Sequence, residues 1–249
     1  AGREQYAKKT KRKPASEMNE PVHTVVLISA GAEWRALLQG PANDLPEKSG
    51  LDQSPYGEWF EARINSRRVI FLHGGWGKVA AAASTEYAIH RWQPQHLLNL
   101  GTCGGFAGLT EVGEIMLAEE TLIYDIIEQM GDPQAAIQRY TCRTYWPDMD
   151  ALAKLPFPVR RVRLVSADRD ILSSDIPGLI EQYGAVAADW ESGAIAWVAE
   201  RHNLPCLILR GVTDLVSTSS GEAYGGIEIY RNRSRGIMQI LVGALPDLI

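Results

Sequence analysis

Short apolar runs alternate with segments of helical periodicity along nearly the whole chain, and this alternation constrains the fold most strongly. The run "HTVVLIS", which starts at His23, is compact and β-branched and predicts a buried strand. "AEWRALLQ" follows with helical spacing, and "KVAAAASTEYAIHRW" predicts a long helix. Strands that alternate with helices form βαβ units, with a largely parallel sheet and helices on both faces. The sequence therefore predicts the α/β class.

The remaining elements follow from the same patterns. "YGEWFEARI" and "RRVIFLH" flank a polar "NS" and predict a hairpin. A last helix is expected from about Glu222 to Leu245, whereas residues 125–157 have no clear pattern. No internal repeat or Pro/Gly linker interrupts the chain, so residues 21–249 are expected to form a single domain. Further predicted strands are "HLLNLG", "GEIMLAEE", "VRRVRLVSA", "AVAAD" and "PCLILRGVTD", and further predicted helices are "IPGLIEQYG" and "WESGAIAWVAERHN".

Composition excludes several classes of function. The 249 residues suffice for one large α/β domain, and 45% hydrophobic with 22% charged residues is ordinary for a soluble protein. A net charge of −5 gives no reason to expect nucleic acid as a partner. No apolar run approaches the roughly 20 residues of a membrane span, and no signal peptide is visible. Three widely spaced cysteines fit neither a disulfide framework nor a metal site, so a cytoplasmic location is expected.

The first stretch, residues 1–20, differs from the rest of the chain. It is basic and nearly free of apolar residues, which predicts disorder. A basic arm of this kind could bind an anionic partner. The alternatives are a solvated tail or added sequence ahead of a start at Met18, and composition favours these.

The stretch "LLNLGTCGGF" predicts a strand that ends at a tight loop. The apolar run Leu97–Leu100 stops at Gly101, and Gly104 and Gly105 follow. Glycines at such a position let the backbone approach another group closely. That group is either protein or ligand.

Acidic side chains collect where predicted strands end. Glu33 follows the first strand, Asp168 lies in "SADRD", Asp189 and Glu191 lie in "ADWES", and Asp214 ends "GVTD". In open α/β sheets ligands bind beyond the carboxyl ends of the strands. A set this acidic, beside the glycine-rich "HGGWGK" and "GTCGG", argues against a polyphosphate ligand. Each carboxylate alone could be a helix-end charge or a cap, but their convergence favours a site.

Common motifs are absent. A P-loop would need glycine where Leu72 stands and a hydroxyl where Val79 stands. "GTCGGF" is not the dinucleotide motif G-x-G-x-x-G, and no G-x-S-x-G is present. The five histidines form no H-E-x-x-H or other metal cluster in the sequence, so neither a metal nor a cofactor is expected.

Four ordered segments, "GGWGKVAAA", "LNLGTCGGF", "AADWESGAIA" and "LRGVTD", resemble the purine nucleoside phosphorylase/nucleosidase superfamily. The similarity extends from about His23 onward and is greatest to 5′-methylthioadenosine/S-adenosylhomocysteine nucleosidases. It implies a single α/β domain whose central mixed, twisted and partly barrel-like sheet is flanked by helices on both faces. It also implies cleavage of the N-glycosidic bond of a small-molecule purine nucleoside, without a cofactor and in a homodimer.

The resemblance also implies roles for individual residues. Asp214 matches the acid at the leaving purine, and Glu33 matches the carboxylate that orients the attacking water. Glu191 matches the glutamate on the ribose 2′ and 3′ hydroxyls, with Trp190 beneath the sugar where the family has methionine. The other substrate-binding positions it implies are Gly74, Thr102, Cys103, Gly104, Ala167, Asp168 and Asp189.

Three departures leave the substrate open. Gly74 replaces the family's serine, Asp189 its glutamate and Trp190 its methionine. The hexameric phosphorylases carry an arginine just before the G-[ST]-C-G loop, whereas Asn99 and Leu100 stand here. A phosphate dianion facing Glu33 without that arginine would be poorly held, so hydrolysis is favoured. A phosphorylase and a non-catalytic nucleoside-binding module remain the alternatives.

Overall fold

Ten strands and seven α-helices follow one another in residues 20–249, the part of the chain that this computed structural model describes. The proposed basic arm therefore lies almost entirely outside the described residues. The strands are β1 Thr24–Ile28, β2 Asp52–Gln53, β3 Glu58–Ile64, β4 Arg67–His73, β5 His96–Phe106, β6 Ile115–Ile123, β7 Cys142–Arg143, β8 Val159–Ser166, β9 Ala187–Asp189 and β10 Cys206–Val216. The helices are α1 Gly31–Gln39, α2 Gly77–Trp92, α3 Pro133–Gln138, α4 Ile176–Tyr183, α5 Ser192–Arg201, α6 Ile227–Gly243 and α7 Leu245–Leu248, with 3₁₀ turns at Pro41–Asn43 and Ala151–Lys154.

The strands form one mixed sheet that closes on itself along part of its length. β5 pairs with β10, β10 with β6, β6 with β8, β8 with β9, and β9 returns to β5. From β5 the sheet continues through β1, β4, β3 and β2. β10–β6 and β5–β9 are antiparallel, whereas β1 pairs with both neighbours in parallel. The expected mixed, partly barrel-like sheet is confirmed.

Helices cover both faces, and β1 shows why. Val26 and Ile28 belong to the apolar cluster beneath α1 and α6. Val25 and Leu27 belong to the cluster beneath α2 and α5. Alternate side chains of a strand point to opposite faces, so a strand that is apolar throughout must be covered on both. A single α/β domain results. Within residues 20–249 no helix combines the length and apolar character needed to cross a membrane.

β5 is longer than the sequence predicts. The strand continues through Gly101 to Phe106, and its pairing with β10 extends to Val216. A Cβ on Gly101 would lie 3.0 Å from both carboxylate oxygens of Glu33, and one on Gly104 would lie 2.8 Å from the Cδ1 of Ile171. The glycines are therefore strand residues that let side chains approach the backbone, and the predicted tight loop is wrong.

The last long helix begins later than predicted. α6 starts at Ile227 rather than near Glu222, because Gly225 has φ +77° and cannot continue a right-handed helix. The loop before α6 carries Tyr224, whose hydroxyl donates a hydrogen bond to the carbonyl of Ile171. The irregular stretch 125–157 contains only short elements, the longest of which is the six-residue α3.

Candidate active site

A cavity of about 670 Å³ lies where several strands end. It is lined by Glu33 in the first turn of α1, by Glu191 just before α5 and by Asp214 in β10. These three carboxylates lie far apart in the sequence and are all buried. Five further predicted site residues also line it, namely Thr102, Cys103, Gly104, Asp189 and Trp190.

Glu33 is fixed by hydrogen bonds from two elements. Its Oε1 accepts from the backbone N–H and the hydroxyl of Thr102, each at 2.7 Å, and its Oε2 accepts from the N–H of Ala30 at 3.3 Å. Burial raises the pKa of Glu33, while the charge of Arg210 and the Thr102 bonds oppose that rise. The carboxylate is thus held rigidly against Gly101 of β5, facing the cavity.

Glu191 lies between the beginnings of two helices. Its Oε1 accepts from the N–H of Gly77, the first residue of α2, at 3.0 Å, and α5 begins at the next residue, Ser192. Burial first, and then the charges of Asp189 and Glu33, raise its pKa to about 8. In the free protein this carboxyl therefore takes up a proton below about pH 8.

A bulge in β10 sets the direction of Asp214. Val212 pairs with Cys103 and Asp214 with Gly104, so Thr213 is an extra residue in the ladder. The Thr213 hydroxyl donates to Oδ1 of Asp214 at 2.7 Å. Burial raises the pKa of Asp214, and the Thr213 hydrogen bond opposes this rise. A carboxyl in this setting holds its proton more tightly than an exposed one and can act as an acid.

Asp189 is engaged by protein donors. It accepts from the Ser166 hydroxyl at 2.6 Å, from Ser192 through its N–H and hydroxyl, and from Nε of Arg210 at 2.8 Å. Arg210 also donates to the side-chain oxygen of Asn99. The side chains of Arg210 and Asp189 are only 2% and 3% exposed. Asp189 therefore holds Arg210 in the interior, and Arg210 carries positive charge close to Glu33.

Two tryptophans form a wall next to Glu191. The rings of Trp76 and Trp190 stack with centroids 4.3 Å apart and planes inclined by 27°. Both line the cavity, and Trp76 is 64% exposed. Trp190, which stands where the family has methionine, thus stacks on a second aromatic residue, and the two rings form a broad apolar surface.

Three of the predicted site residues are not among those that line the cavity. A Cβ on Gly74 would lie 2.7 Å from Oγ of Ser84, so this glycine permits contact with α2. Oδ1 of Asp168 accepts from the N–H of Lys78 at 2.7 Å in the first turn of α2, and Ala167 is buried in the core. None of the three lines the cavity, whereas Arg169, Asp170 and Ile171, which follow Asp168, do line it. A substrate contact of Gly74, Ala167 or Asp168 stays a prediction.

Sequence reasoning missed several residues of the cavity region. Arg210 had a signal, since an arginine within the apolar run "LILRGV" must find a buried partner. Tyr224 and Tyr230 had none, because their approach depends on the loop before α6 and on how α6 packs. Other cavity-lining residues not predicted include Arg35, Arg231, Thr213 and Ile227.

Residues 23–225 match the phosphorylase superfamily. The chain belongs to this superfamily. Among its curated relatives, the 5′-methylthioadenosine/S-adenosylhomocysteine nucleosidase of Marinomonas sp. is 25% identical over 235 residues, covering 87% of this chain and 97% of that protein. The relationship agrees with the resemblance carried by the four sequence segments.

Solved structures of superfamily members have the same fold. A 5′-methylthioadenosine/S-adenosylhomocysteine nucleosidase from Helicobacter pylori with butyl-thio-DADMe-Immucillin-A superposes with a TM-score of 0.77 at 15% identity, covering 92% of this chain and 99% of that one. The futalosine hydrolase of Helicobacter pylori strain 26695 superposes with a TM-score of 0.75 at 15% identity, covering 91% and 97%. At 15% sequence identity, these superpositions show that the fold is shared and nothing more specific.

Proposed function

We propose that this superfamily member hydrolyses the N-glycosidic bond of a 5′-modified purine nucleoside, of the 5′-methylthioadenosine or S-adenosylhomocysteine type, and releases the purine. The proposal rests on one observation, the gathering of the buried Glu33, Glu191 and Asp214 around one cavity. Relatives named as nucleosidases support the same activity. The futalosine hydrolase among its structural neighbours leaves the 5′ group open.

In this proposal the three carboxyls have separate tasks. Cleavage passes through an oxocarbenium-like transition state, with positive charge on the ribose and negative charge on the base. Asp214, whose pKa burial raises, donates a proton to the departing purine. Glu191 binds the ribose hydroxyls, and the cationic sugar favours its ionised form. Glu33, held by Thr102, orients and deprotonates the water.

Water rather than phosphate is the proposed nucleophile. Asn99 stands before the glycine-containing part of β5, and the nearby Arg210 is already paired with Asp189. A dianion would be repelled by the buried carboxylate of Glu33 and would find Arg210 already engaged. The apolar wall of Trp76 and Trp190 is proposed to hold the 5′ group, whose identity it would help to select.

Asp214→Asn tests the proposal directly. The wild-type protein is incubated with 5′-methylthioadenosine, S-adenosylhomocysteine, futalosine and adenosine, with and without phosphate, while free base, ribose and ribose 1-phosphate are followed. We expect free base and free sugar, no dependence on phosphate, and a loss of about 10²–10⁴-fold in kcat for the variant. Base release that Asp214→Asn leaves unchanged, or product that appears as sugar phosphate, would contradict the proposal.

Two further features complete the proposal. We propose a homodimer, as the family resemblance implies, which light scattering on the purified protein tests. We also propose a cytoplasmic enzyme, and the three cysteines support a reducing compartment, since Cys103, Cys142 and Cys206 are all free and buried. A monomer at working concentration would contradict the first of these.

A further inference from the structure

A cluster of two histidines and a glutamate lies on the surface where α2 and α5 run side by side. Glu86 and His90 are four residues apart on α2, so they share one face of the helix. His202 directly follows α5. One ligand atom from each of the three lies within 4.8 Å of the others.

The carboxylate lies between the two imidazoles. Oε1 of Glu86 is 2.8 Å from Nε2 of His90, and Oε2 is 2.7 Å from Nε2 of His202. The two rings meet edge to face, with centroids 5.6 Å apart. The Nε2 atoms of His90 and His202, which could bind a metal, therefore both point at the carboxylate of Glu86.

We infer that Glu86, His90 and His202 form a binding site for a divalent transition metal ion of the Zn²⁺ type. Two imidazoles and one carboxylate, with solvent in the fourth position, are a ligand set that Zn²⁺ accepts at about 2.0–2.2 Å. The ion takes the place of the two hydrogen-bonding protons, and each neutral ring carries its hydrogen on Nδ1. Tetrahedral geometry needs ligand atoms about 3.4 Å apart, a distance that exposed side chains reach by rotation.

The sequence predicts no metal cluster among the histidines, and the fold explains why. Glu86 and His90 show helical spacing, but His202 joins them only because α5 packs on α2. Among residues 20–249, Glu86, His90 and His202 are the one group of three or more histidine, cysteine or acidic side chains whose ligand atoms all lie within 4.8 Å of one another. The cysteines do not compete for the ion, because all three are buried and burial raises the pKa of Cys142 and Cys206 to about 12.

The location of the cluster gives the site a role in the scaffold. α2 and α5 begin beside Glu191, whose carboxylate accepts from the N–H of Gly77. The metal cluster ties α2 near its C-terminal half to the end of α5. A bound ion therefore links the two helices whose first residues surround Glu191, at a distance from the cavity itself.

Calorimetric titration of Zn²⁺ into the chelator-stripped 249-residue chain tests the site. The variants are Glu86→Gln, His90→Asn and His202→Asn, and the matched controls are Glu228→Gln, an exposed glutamate on α6, and His96→Asn, a histidine outside the cluster. We expect one ion per wild-type chain, an affinity weakened roughly tenfold or more in each cluster variant, and affinities within about twofold of wild type in the controls.

Thermal unfolding provides the second measurement. Zn²⁺ should raise the midpoint of the wild type and of the controls by more than that of the cluster variants, whose metal-free midpoints verify that they fold. Absence of one-to-one uptake by the wild type, or wild-type affinity in His202→Asn, would overturn the inference. The cluster would then be a surface hydrogen-bond network only.

Discussion

Glu191 should couple stability to pH in a direction opposite to that of most carboxylates. Its folded-state pKa of about 8 lies above the 4.5 of an exposed glutamate, because burial and the charges of Asp189 and Glu33 disfavour ionisation. Between these values the unfolded chain ionises while the folded one keeps its proton. The stability that this group contributes is therefore complete below about pH 4.5 and is lost as pH rises to about 8.

Glu191→Gln should remove this dependence. The difference in unfolding midpoint, variant minus wild type, is expected to grow more positive from pH 5 to pH 8 and to level off above that. Thermal scans across this range measure it, with Glu228→Gln as an exposed-glutamate control. A difference that stays constant with pH would show that Glu191 is ionised throughout.

Arg210 should matter for stability far more than a surface arginine does. Its guanidinium is buried with Asp189, so Arg210→Met leaves that carboxylate without its cation. We expect a loss of about 3–5 kcal/mol in the free energy of unfolding, measured by urea titration. Arg161→Met is the matched control, because Arg161 and its partner Glu119 are each about half exposed, and it should cost under about 1 kcal/mol. Equal losses would contradict this assignment.

The sequence allowed Glu33, Glu191 and Asp214 to be predicted to lie around one cavity, because strand ends meet at one edge of a sheet. Their roles in a reaction stay predictions. It did not allow Asp168 and Gly74 to be separated from them. Both follow strands as the others do, but their neighbours, Lys78 and Ser84, lie on α2. Which of several strand-end residues faces the cavity depends on helix placement, which local patterns do not encode.

The position of Glu33 depends on strand β5, because the carboxylate packs directly against Gly101 of that strand. Gly101→Ala would bring a methyl group to 3.0 Å from both oxygens of Glu33. We expect a stability loss of about 1–3 kcal/mol from overpacking and a fall in turnover, since Glu33 must leave its bonds to Thr102. Urea unfolding and base-release assays measure the two effects.

Gly178→Ala is the control for that substitution. Gly178 lies inside α4, and nothing would lie within 4 Å of an added Cβ. A gain of about 0.4–1 kcal/mol is expected, with unchanged turnover. If Gly101→Ala behaved in the same way, β5 would not be tightly packed against Glu33.

Buried strands and amphipathic helices were predictable as elements, since each carries its own periodicity. The end of β5 was not, because glycines inside a strand and glycines in a turn look alike in sequence. They differ in what approaches them, here Glu33 and Ile171. The start of α6 was predicted wrongly for a related reason. The positive φ of Gly225, which keeps the helix from beginning earlier, is set by the loop and has no signature in the sequence.

At the scale of the whole molecule, alternation of strands and helices predicted a largely parallel sheet. The antiparallel pairs β10–β6 and β5–β9, which close the barrel, have no signature in that alternation. They were implied only by resemblance to the superfamily. Closure depends on contacts between strands far apart in the chain, and a local pattern cannot specify those.

A ligand in the cavity should stabilise the whole fold, because its walls come from α1, β5, β10 and the segment before α5. An uncleavable purine nucleoside analogue at 100 times its Kd should add about 2.7 kcal/mol to the free energy of unfolding. Thermal scans measure this as a rise in midpoint, in the wild type and in Asp214→Asn. A pyrimidine nucleoside is the control, and an equal rise with it would contradict purine recognition.

The extra residue in β10 has an evolutionary consequence. Loss of Thr213 by deletion would leave a regular ladder, in which Val212 still pairs with Cys103 and Asp214 with Gly104, so the seam with β5 does not need the bulge. Exchange of Asp214 for asparagine leaves the seam intact. The architecture therefore requires neither the bulge nor the acid, and the extra residue serves Asp214, whose Oδ1 accepts a hydrogen bond from the Thr213 hydroxyl. Descendants that abandon the chemistry but keep the fold are expected to lose the bulge as readily as the acid.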